Sequence, residues 1–387
     1  MSRGSHVSSF ADGVEKTRLA SASHGAIVNE QPLVSVLMPA FNSASYIVPA
    51  LRSILSQSYR RLEVIVVDDA SEDETAAIVE GLDDGRVRLY RNSSNSGIAA
   101  VRNKCVELAT GDLLAWMDSD DVSLPTRIEK QVRFLQRNPE IAAVGSDLLS
   151  IDTIGSLQGL PWVPPLRPAP IAWGLVFATP FFNPTTMARA DLYDKVGTYD
   201  LSLVTGSDNE FWVRCAQSLK LANLKDVLLL YRRHPSSISV LRGKEGASLG
   251  PRLTKHSIER ILKKDVPQRV AEILRTPERL SVGDLSVHLP TAIETLEETT
   301  RHFLEERDLS APDRKAIEAA AALLHIRLAL SAVRIKPRIW ARPRSGPIGL
   351  NARAVAHGFR QILFRTGEGL KLKRRVRQEL QKLDLAG

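Results

Sequence analysis

The chain has 387 residues, 43% of them hydrophobic, which is enough for one sizeable core and an appendage. Two cysteines, Cys105 and Cys215, are too few for a disulfide framework, and both lie in apolar-periodic stretches that suit buried thiols. The net charge of +8 is unevenly placed: from Arg334 onward there are 14 Lys/Arg against 3 Asp/Glu, so the body is slightly acidic and the basic end suits an anionic partner.

Residues 1–31 are rich in Ser, Ala and Gly and lack the apolar core of a secretory signal, so they read as a flexible leader. No run approaches 18 consecutive apolar residues, so no spanning helix is expected and a cytoplasmic chain is the simplest reading. "PLVSVLMPAFN" (32–42) is an apolar run of strand length. Asn42 and Ser43 are placed to cap a helix whose apolar stripe is Ile47, Ala50, Leu51, Ile54 and Leu55. "LEVIVVDDAS" (62–71) is a second, β-branched strand, and Ser71 with Glu74 predicts a capping box for the helix after it. "RVRLYRN" (86–92) is a third strand. A Ser/Asn/Gly loop then leads to a helix with Ile98, Val101, Cys105 and Leu108 on one stripe. "DLLAWM" (112–117) is the fourth strand, and it runs straight into Asp118, Ser119, Asp120 and Asp121.

The alternation of strand and helix predicts an α/β, Rossmann-like, mostly parallel sheet flanked by helices. Farther on, the pattern predicts a helix over 128–136, a strand over 141–149 and an extended Pro-rich connection over 160–170. A turn at Asn183-Pro184, a short strand, a short helix, a helix over 207–219 and a strand over 227–239 follow. Beyond about residue 250 only helical patterns remain, over 256–274, 288–306 and 314–333. This divides the chain into a leader (1–31), a catalytic-type α/β domain (32–245), a helical region (246–333) and a basic, helical tail (334–387). The stretch "GLKLKRRVRQELQKL" (369–383) sets Leu and Val among Lys and Arg. That pattern fits either an amphipathic helix on an anionic membrane surface or a solvated helix packed on the body. No base-stacking aromatics are interleaved there, so nucleic acid is not expected as a partner.

In a parallel sheet, ligands sit outside the carboxyl ends of the strands. The polar segments of this sequence all fall there: Pro39, Ala40, Phe41 and Asn42; Asp68 and Asp69; Asn92 to Gly97; and Asp118 to Asp121. Asp118 and Asp120, flanking Ser119, form an Asp-X-Asp pair of hard oxygen ligands suited to Mn²⁺ or Mg²⁺, which would bridge the phosphates of a nucleotide. Pro39, Ala40 and Phe41 offer backbone groups and a flat ring to a base, and Asp69 offers an acceptor to a base N–H. Asn95 and Gly97 form a loop able to approach a ribose or phosphate closely, and Arg102 is within reach of a diphosphate. Taken singly, each has a plainer reading: a helix cap for Asp69, a turn for Asn95 and Gly97, a solvated charge for Arg102.

Together, "VSVLMPAFNSASYIVPALRSILSQSYRRLEVIVVDDASEDET", "NSSNSGIAAVRNKCVELATGDLLAWMDSDD" and "NPTTMARADLYDKVGTYD" resemble the family 2 glycosyltransferases of the GT-A fold, over roughly residues 32–240. The resemblance implies a metal-dependent, inverting transfer of a sugar from a nucleotide diphosphate sugar, UDP first, to a glycan or lipid-linked acceptor in surface polysaccharide or glycoconjugate synthesis. It implies that Pro39, Phe41 and Asp69 hold the nucleoside, that Asn95, Gly97 and Arg102 line the donor, and that Asp118 and Asp120 flank the diphosphate. Asp121 is then an outer partner or a helix cap. Asp208 matches the family's general base, with Trp212 and Arg214 matching the residues that trail it. Ser207 stands where the family usually has Glu, which keeps open a catalytically inactive sugar-nucleotide-binding or scaffold protein. Glu210 and Asp200 are the fallback bases. His234 is either a residue near the metal and diphosphate or a surface loop histidine, and Trp162 and Trp173 either stack on an acceptor sugar or pack in the core. A nucleotidyltransferase would need a Gly-rich basic loop after the first strand, and "PAFNSAS" is not one.

Overall fold

The computed structural model describes residues 31–162, 164–237 and 243–333. The leader, apart from Gln31, and the basic tail lie outside the described residues. Four strands, β1 (Val34–Ala40), β2 (Leu62–Asp68), β3 (Val87–Arg91) and β4 (Leu113–Trp116), form the first half of the sheet. They are parallel in the order β3-β2-β1-β4, with Val34 opposite both Leu62 and Leu113, and Ala40 opposite Asp68. The connecting helices are α1 (Ile47–Leu55), α2 (Thr75–Glu80) and α3 (Ile98–Leu108). Alternate residues of β1 feed opposite layers. Val34, Val36 and Met38 join the cluster containing Ile47, Leu51 and Ile54 of α1, whereas Leu37 joins that containing Val101 and Cys105 of α3. This two-residue period explains why continuous apolar runs are needed when both faces are covered.

The second half is mixed. It contains β5 (Val122–Ser123), α4 (Arg127–Arg137), β6 (Ile141–Ile151), β7 (Leu157–Trp162), α5 (Pro168–Phe177), β8 (Met187–Arg189), α6 (Leu192–Val196), α7 (Ser207–Cys215) and β9 (Lys220–Arg232). β8 lies antiparallel between β4 and β6, β9 runs parallel to β6, and β5 pairs antiparallel with β9. The Asn183-Pro184 turn is a short 3-10 helix ahead of β8. Among the described residues four α-helices follow: α8 (Gly243–Leu262), α9 (Gln268–Arg275), α10 (Val282–Glu305) and α11 (Ala311–Val333). They share an apolar cluster with Trp173, Val176 and Phe177 of α5.

Several local expectations are corrected. The Pro-rich stretch is only partly extended, because α5 begins at Pro168, where a missing N–H leaves no helical bond unmade. The single helix expected over 256–274 is broken: Lys263 adopts φ 55° and the chain resumes helix after Pro267. Neither expected cap forms. The Asn42 side chain accepts from the Glu72 N–H at 2.9 Å instead, and the Ser71 hydroxyl donates to Asp68. Both residues join neighbouring loops and cap no helix.

Candidate active site

The first strand ends deliver a loop-knitting carboxylate. Asp69 is buried beyond the end of β2, and its N–H donates to the Ala40 carbonyl at 2.9 Å. One carboxylate oxygen accepts from the Asn92 amide (2.7 Å) and from the Ser96 N–H (2.9 Å) and hydroxyl (2.8 Å), while the other accepts from the Gly97 N–H at 2.9 Å. Burial pushes this carboxyl up, but the bonds from Asn92, Ser96 and Gly97 together outweigh it and hold the group below the usual carboxylate range. Gly97 sits at φ 85°, a left-handed value that a side chain would strain. It opens α3 with free space where a Cβ would stand. Asn95 is exposed beside it. Pro39 and Ala40 are buried strand residues, and the chain emerges at Phe41, which is 43% exposed.

The fourth strand end delivers the opposite. Asp118, Asp120 and Asp121 bring one carboxylate oxygen each within 4.8 Å of one another. Burial first, then Asp120, pushes Asp118 up to about 7, against the pull of Arg102 and Arg127. Burial and the two neighbouring aspartates drive Asp121 well above the usual range. One Asp121 oxygen accepts from the Arg232 N–H at 2.8 Å, whereas the other is buried with no hydrogen-bond partner. An orphaned buried acceptor beside two crowded carboxylates fits a hard divalent cation. Asp121 therefore belongs to the cluster itself and caps no helix. Ser119 contributes to its support: its hydroxyl bonds that of Ser43 at 2.7 Å, tying the acidic turn to the loop after β1.

Asp120 also meets His234, whose Nε2 lies 2.8 Å from a carboxylate oxygen while Nδ1 bonds the Ser236 hydroxyl at 2.8 Å. The His234 ring packs on Tyr46 at 4.7 Å between centroids, and the Arg232 guanidinium lies 5.0 Å from the centroid of the same Tyr46 ring. Arg232 donates further to the Asp120 carbonyl at 2.8 Å. The surface-loop reading of His234 is thereby replaced by a place at the acidic cluster. Tyr46, Arg232 and the buried Arg127 were invisible to motif reading. Burial lowers Arg127 to about 10 despite Asp121 and Asp118, and it donates to the Trp116 carbonyl at 2.6 Å. Arg127 stands six residues after Asp121, at the start of α4, where no local sequence cue marks it.

Arg102 is not a solvated helix charge. It is buried, lies 5.5 Å over the Tyr199 ring, donates to the Ser207 hydroxyl at 3.1 Å and stands 3.8 Å from an Asp208 oxygen. Burial opposes its charge, but Asp208 first and then Tyr199 and Asp118 hold its pKa above the ordinary value. It is thus the cation between the acidic turn and the start of α7. Asp208 is partly exposed at that helix start. Glu210 is committed elsewhere, paired with Arg214 at 2.9 Å, and Arg214 in turn donates to the Thr198 carbonyl at 2.8 Å. Asp200 accepts from the Ser202 N–H in an exposed turn. Trp212 is fully buried and donates to the Asn183 side chain at 3.2 Å. Trp173 is buried in the helical cluster against Phe177, so its acceptor-stacking reading gives way to core packing. The Trp162 side chain lies outside the described ones.

Comparison with known proteins gives the family of the chain. The sequence profile of glycosyl transferase family 2 matches residues 35–159. EpsE of Bacillus subtilis (strain 168), provisionally designated a glycosyltransferase, is 36% identical over 213 residues, which are 53% of this chain and 74% of EpsE. The chain belongs to glycosyl transferase family 2. An uncharacterized glycosyltransferase of Haemophilus influenzae is 32% identical over 60% of this chain and 75% of its own length. WfaP of Escherichia coli, a UDP-Glc:alpha-D-GlcNAc-diphosphoundecaprenol beta-1,3-glucosyltransferase, is 27% identical over 55% of this chain and 82% of WfaP. Among solved structures, S. aureus TarS 1-349 in complex with UDP aligns with a TM-score of 0.48 at 18% identity, covering 78% of this chain and 88% of that one. As a member of this family the chain is a glycosyltransferase, and its fold is a mixed α/β sheet of the GT-A kind flanked by helices, followed by the helices of residues 243–333. Among the described residues no helix is long and apolar enough to cross a membrane.

Proposed function

We propose that this glycosyltransferase moves a sugar from a nucleotide diphosphate sugar, with UDP as the nucleotide, to a hydroxyl of a glycan or lipid-linked acceptor, inverting the anomeric carbon. The observation that carries the reading is the convergence of Asp118, Asp120 and Asp121 at one strand end, joined through Arg102 to Asp208. The similarity to WfaP supports a UDP-sugar and a lipid-diphosphate acceptor.

In this reading the crevice between Phe41 and the Asn92–Gly97 loop takes the nucleoside. Asp69 fixes that loop and keeps acceptor capacity on the oxygen that carries a single hydrogen bond. Asp118 and Asp120 would hold Mn²⁺ or Mg²⁺, with Asp121 behind them. The cation supplies positive charge against which a diphosphate departs more readily. Asp208 accepts the proton of the acceptor hydroxyl as its oxygen attacks the anomeric carbon, and the nucleoside diphosphate leaves from the opposite face. Arg102, 3.8 Å away, orients Asp208. Ser207 replaces the usual Glu as a hydroxyl that accepts from Arg102, so the departure leaves the arginine partnered. The basic tail would bring the enzyme to an anionic membrane surface that presents the acceptor.

The test is Asp208→Asn assayed with UDP-sugars, Mn²⁺ and a lipid-diphosphate glycan. Transfer should fall by about 10²–10⁴ while UDP binding in the presence of Mn²⁺ is kept. A variant as active as the parent would remove Asp208 from the chemistry. An inactive parent that still binds UDP would favour the sugar-nucleotide-binding protein.

A further inference from the structure

We infer that the helical region acts as a brace that positions the start of α7, with Arg275 and Thr179 as positioning residues for Asp208. The inference rests on the reading of Asp208 as the base. It gives a task to helices that lie beyond the family profile, which ends at residue 159.

Two separate contacts from this region converge on the first turn of α7. Arg275, the last residue of α9, donates to the Ala178 carbonyl at 3.1 Å and to the Thr179 hydroxyl at 3.1 Å. That hydroxyl is 3.3 Å from the Asn209 side-chain oxygen and, having accepted from Arg275, donates to it. Asn209 is buried and directly follows Asp208. The order of donors is fixed along the path, because a guanidinium can only donate and the amide oxygen can only accept. Gly250 of α8 makes room for it, since a Cβ there would stand 3.1 Å from Arg275 Nε.

The second contact is apolar. Gly206 precedes α7 at φ 72°, and a Cβ on it would lie 2.7 Å from a methyl of Leu249 on α8. Leu249 is buried and is seated on the backbone from which Ser207 and Asp208 emerge. Arg102 grips the same turn from the catalytic side through Ser207. The first turn of α7 is therefore held from both sides, by Arg102 within the α/β body and by α8 and α9 behind it. Arg275 itself faces Arg327, and burial first, with that neighbour, pushes it down to about 10. Among the described residues it has no carboxylate partner, so its bonds to the body are the ones that anchor it.

The experiment compares Arg275→Ala, its rescue Arg275→Lys, and Thr179→Val, which removes the hydroxyl and keeps the shape. Hydrogen exchange at the amides of residues 207–212 is read beside steady-state kinetics, well below the melting temperature. Both Arg275→Ala and Thr179→Val should speed exchange in that turn. Both should lower kcat on the order of tenfold to a hundredfold with the KM for the sugar donor unchanged, and Arg275→Lys should recover part of each. Unchanged exchange in both variants overturns the brace whatever the activity does. Faster exchange with kcat within twofold of the parent overturns its link to the reaction, provided Asp208→Asn is inactive. An active Asp208→Asn would instead defeat the base assignment, and the exchange data would still decide the brace.

Discussion

Asp69 and Asp118 are both aspartates at the end of a parallel strand, and the fold treats them in opposite ways. Asp69 is surrounded by four donated hydrogen bonds and is held ionised. Asp118 is surrounded by Asp120, Asp121 and burial, and is pushed toward neutrality at about 7. The first carboxylate builds structure by itself, while the second belongs to a cluster whose charge is left for something else to balance. One strand end is preformed scaffold, and the other gathers three carboxylates that repel one another.

The sharpest way to break this contrast is Asp118→Ala. Transfer should fall on the order of 10²–10³, and the chelated protein should melt no lower than the parent, because a repelling group has gone. A stability loss without an activity loss would reverse the assignment. Asp69→Asn is the mirror experiment. Its amide would turn a donor toward the Ser96 or Gly97 N–H, at roughly 2–3 kcal/mol of stability in denaturant titration, with loosened nucleotide binding as a consequence.

A pH series separates the two next. The folded pKa of Asp118 lies above its ordinary 3.8, so the metal-free native state binds more protons than the unfolded chain between 3.8 and about 7. Its contribution to stability therefore declines as pH rises through that window. Asp69 works with the other sign: its folded pKa is depressed, so its contribution is full above the ordinary value and is lost as pH falls through the folded one. Melting in chelator should drop by several degrees from pH 4 to 7 in the parent and less in Asp118→Asn, with Mn²⁺ reversing the drop at the upper end. A parent curve that rises over that range would contradict the crowded cluster. The smallest effect belongs to Asn42→Ala, which loses the bond to the Glu72 N–H and places alanine at φ 49°. About 1 kcal/mol in stability and an unaltered KM for the sugar donor are expected, since Asn42 ties loops together.

The parallel half was legible because its physics is periodic. β1, β2 and β4 are apolar runs of strand length, β3 sets Val, Leu and Tyr among arginines, and α1 and α3 carry stripes at helical spacing. What escaped was aperiodic. β5 is two residues long and exists because it pairs with Leu229 and Leu230 of β9. The break at Lys263 depends on one backbone angle, and the expected capping box at Ser71 lost to Asp68, a stronger acceptor one turn back. In the site, motif spacing pointed to Asp118 and Asp120, and the family resemblance to Asp208. Nothing local could mark Arg102 as buried, or place His234 against a carboxylate 114 residues away in the chain.

By itself the sequence determined which segments could be strands, in what order, and that their polar ends would share one edge, because side-chain period and connection rules act locally. Only the tertiary structure decided the partners of each carboxylate and which helices pack behind the first turn of α7. Electrostatic environment and burial are sums over neighbours that are brought together by folding, and no stretch of sequence contains them.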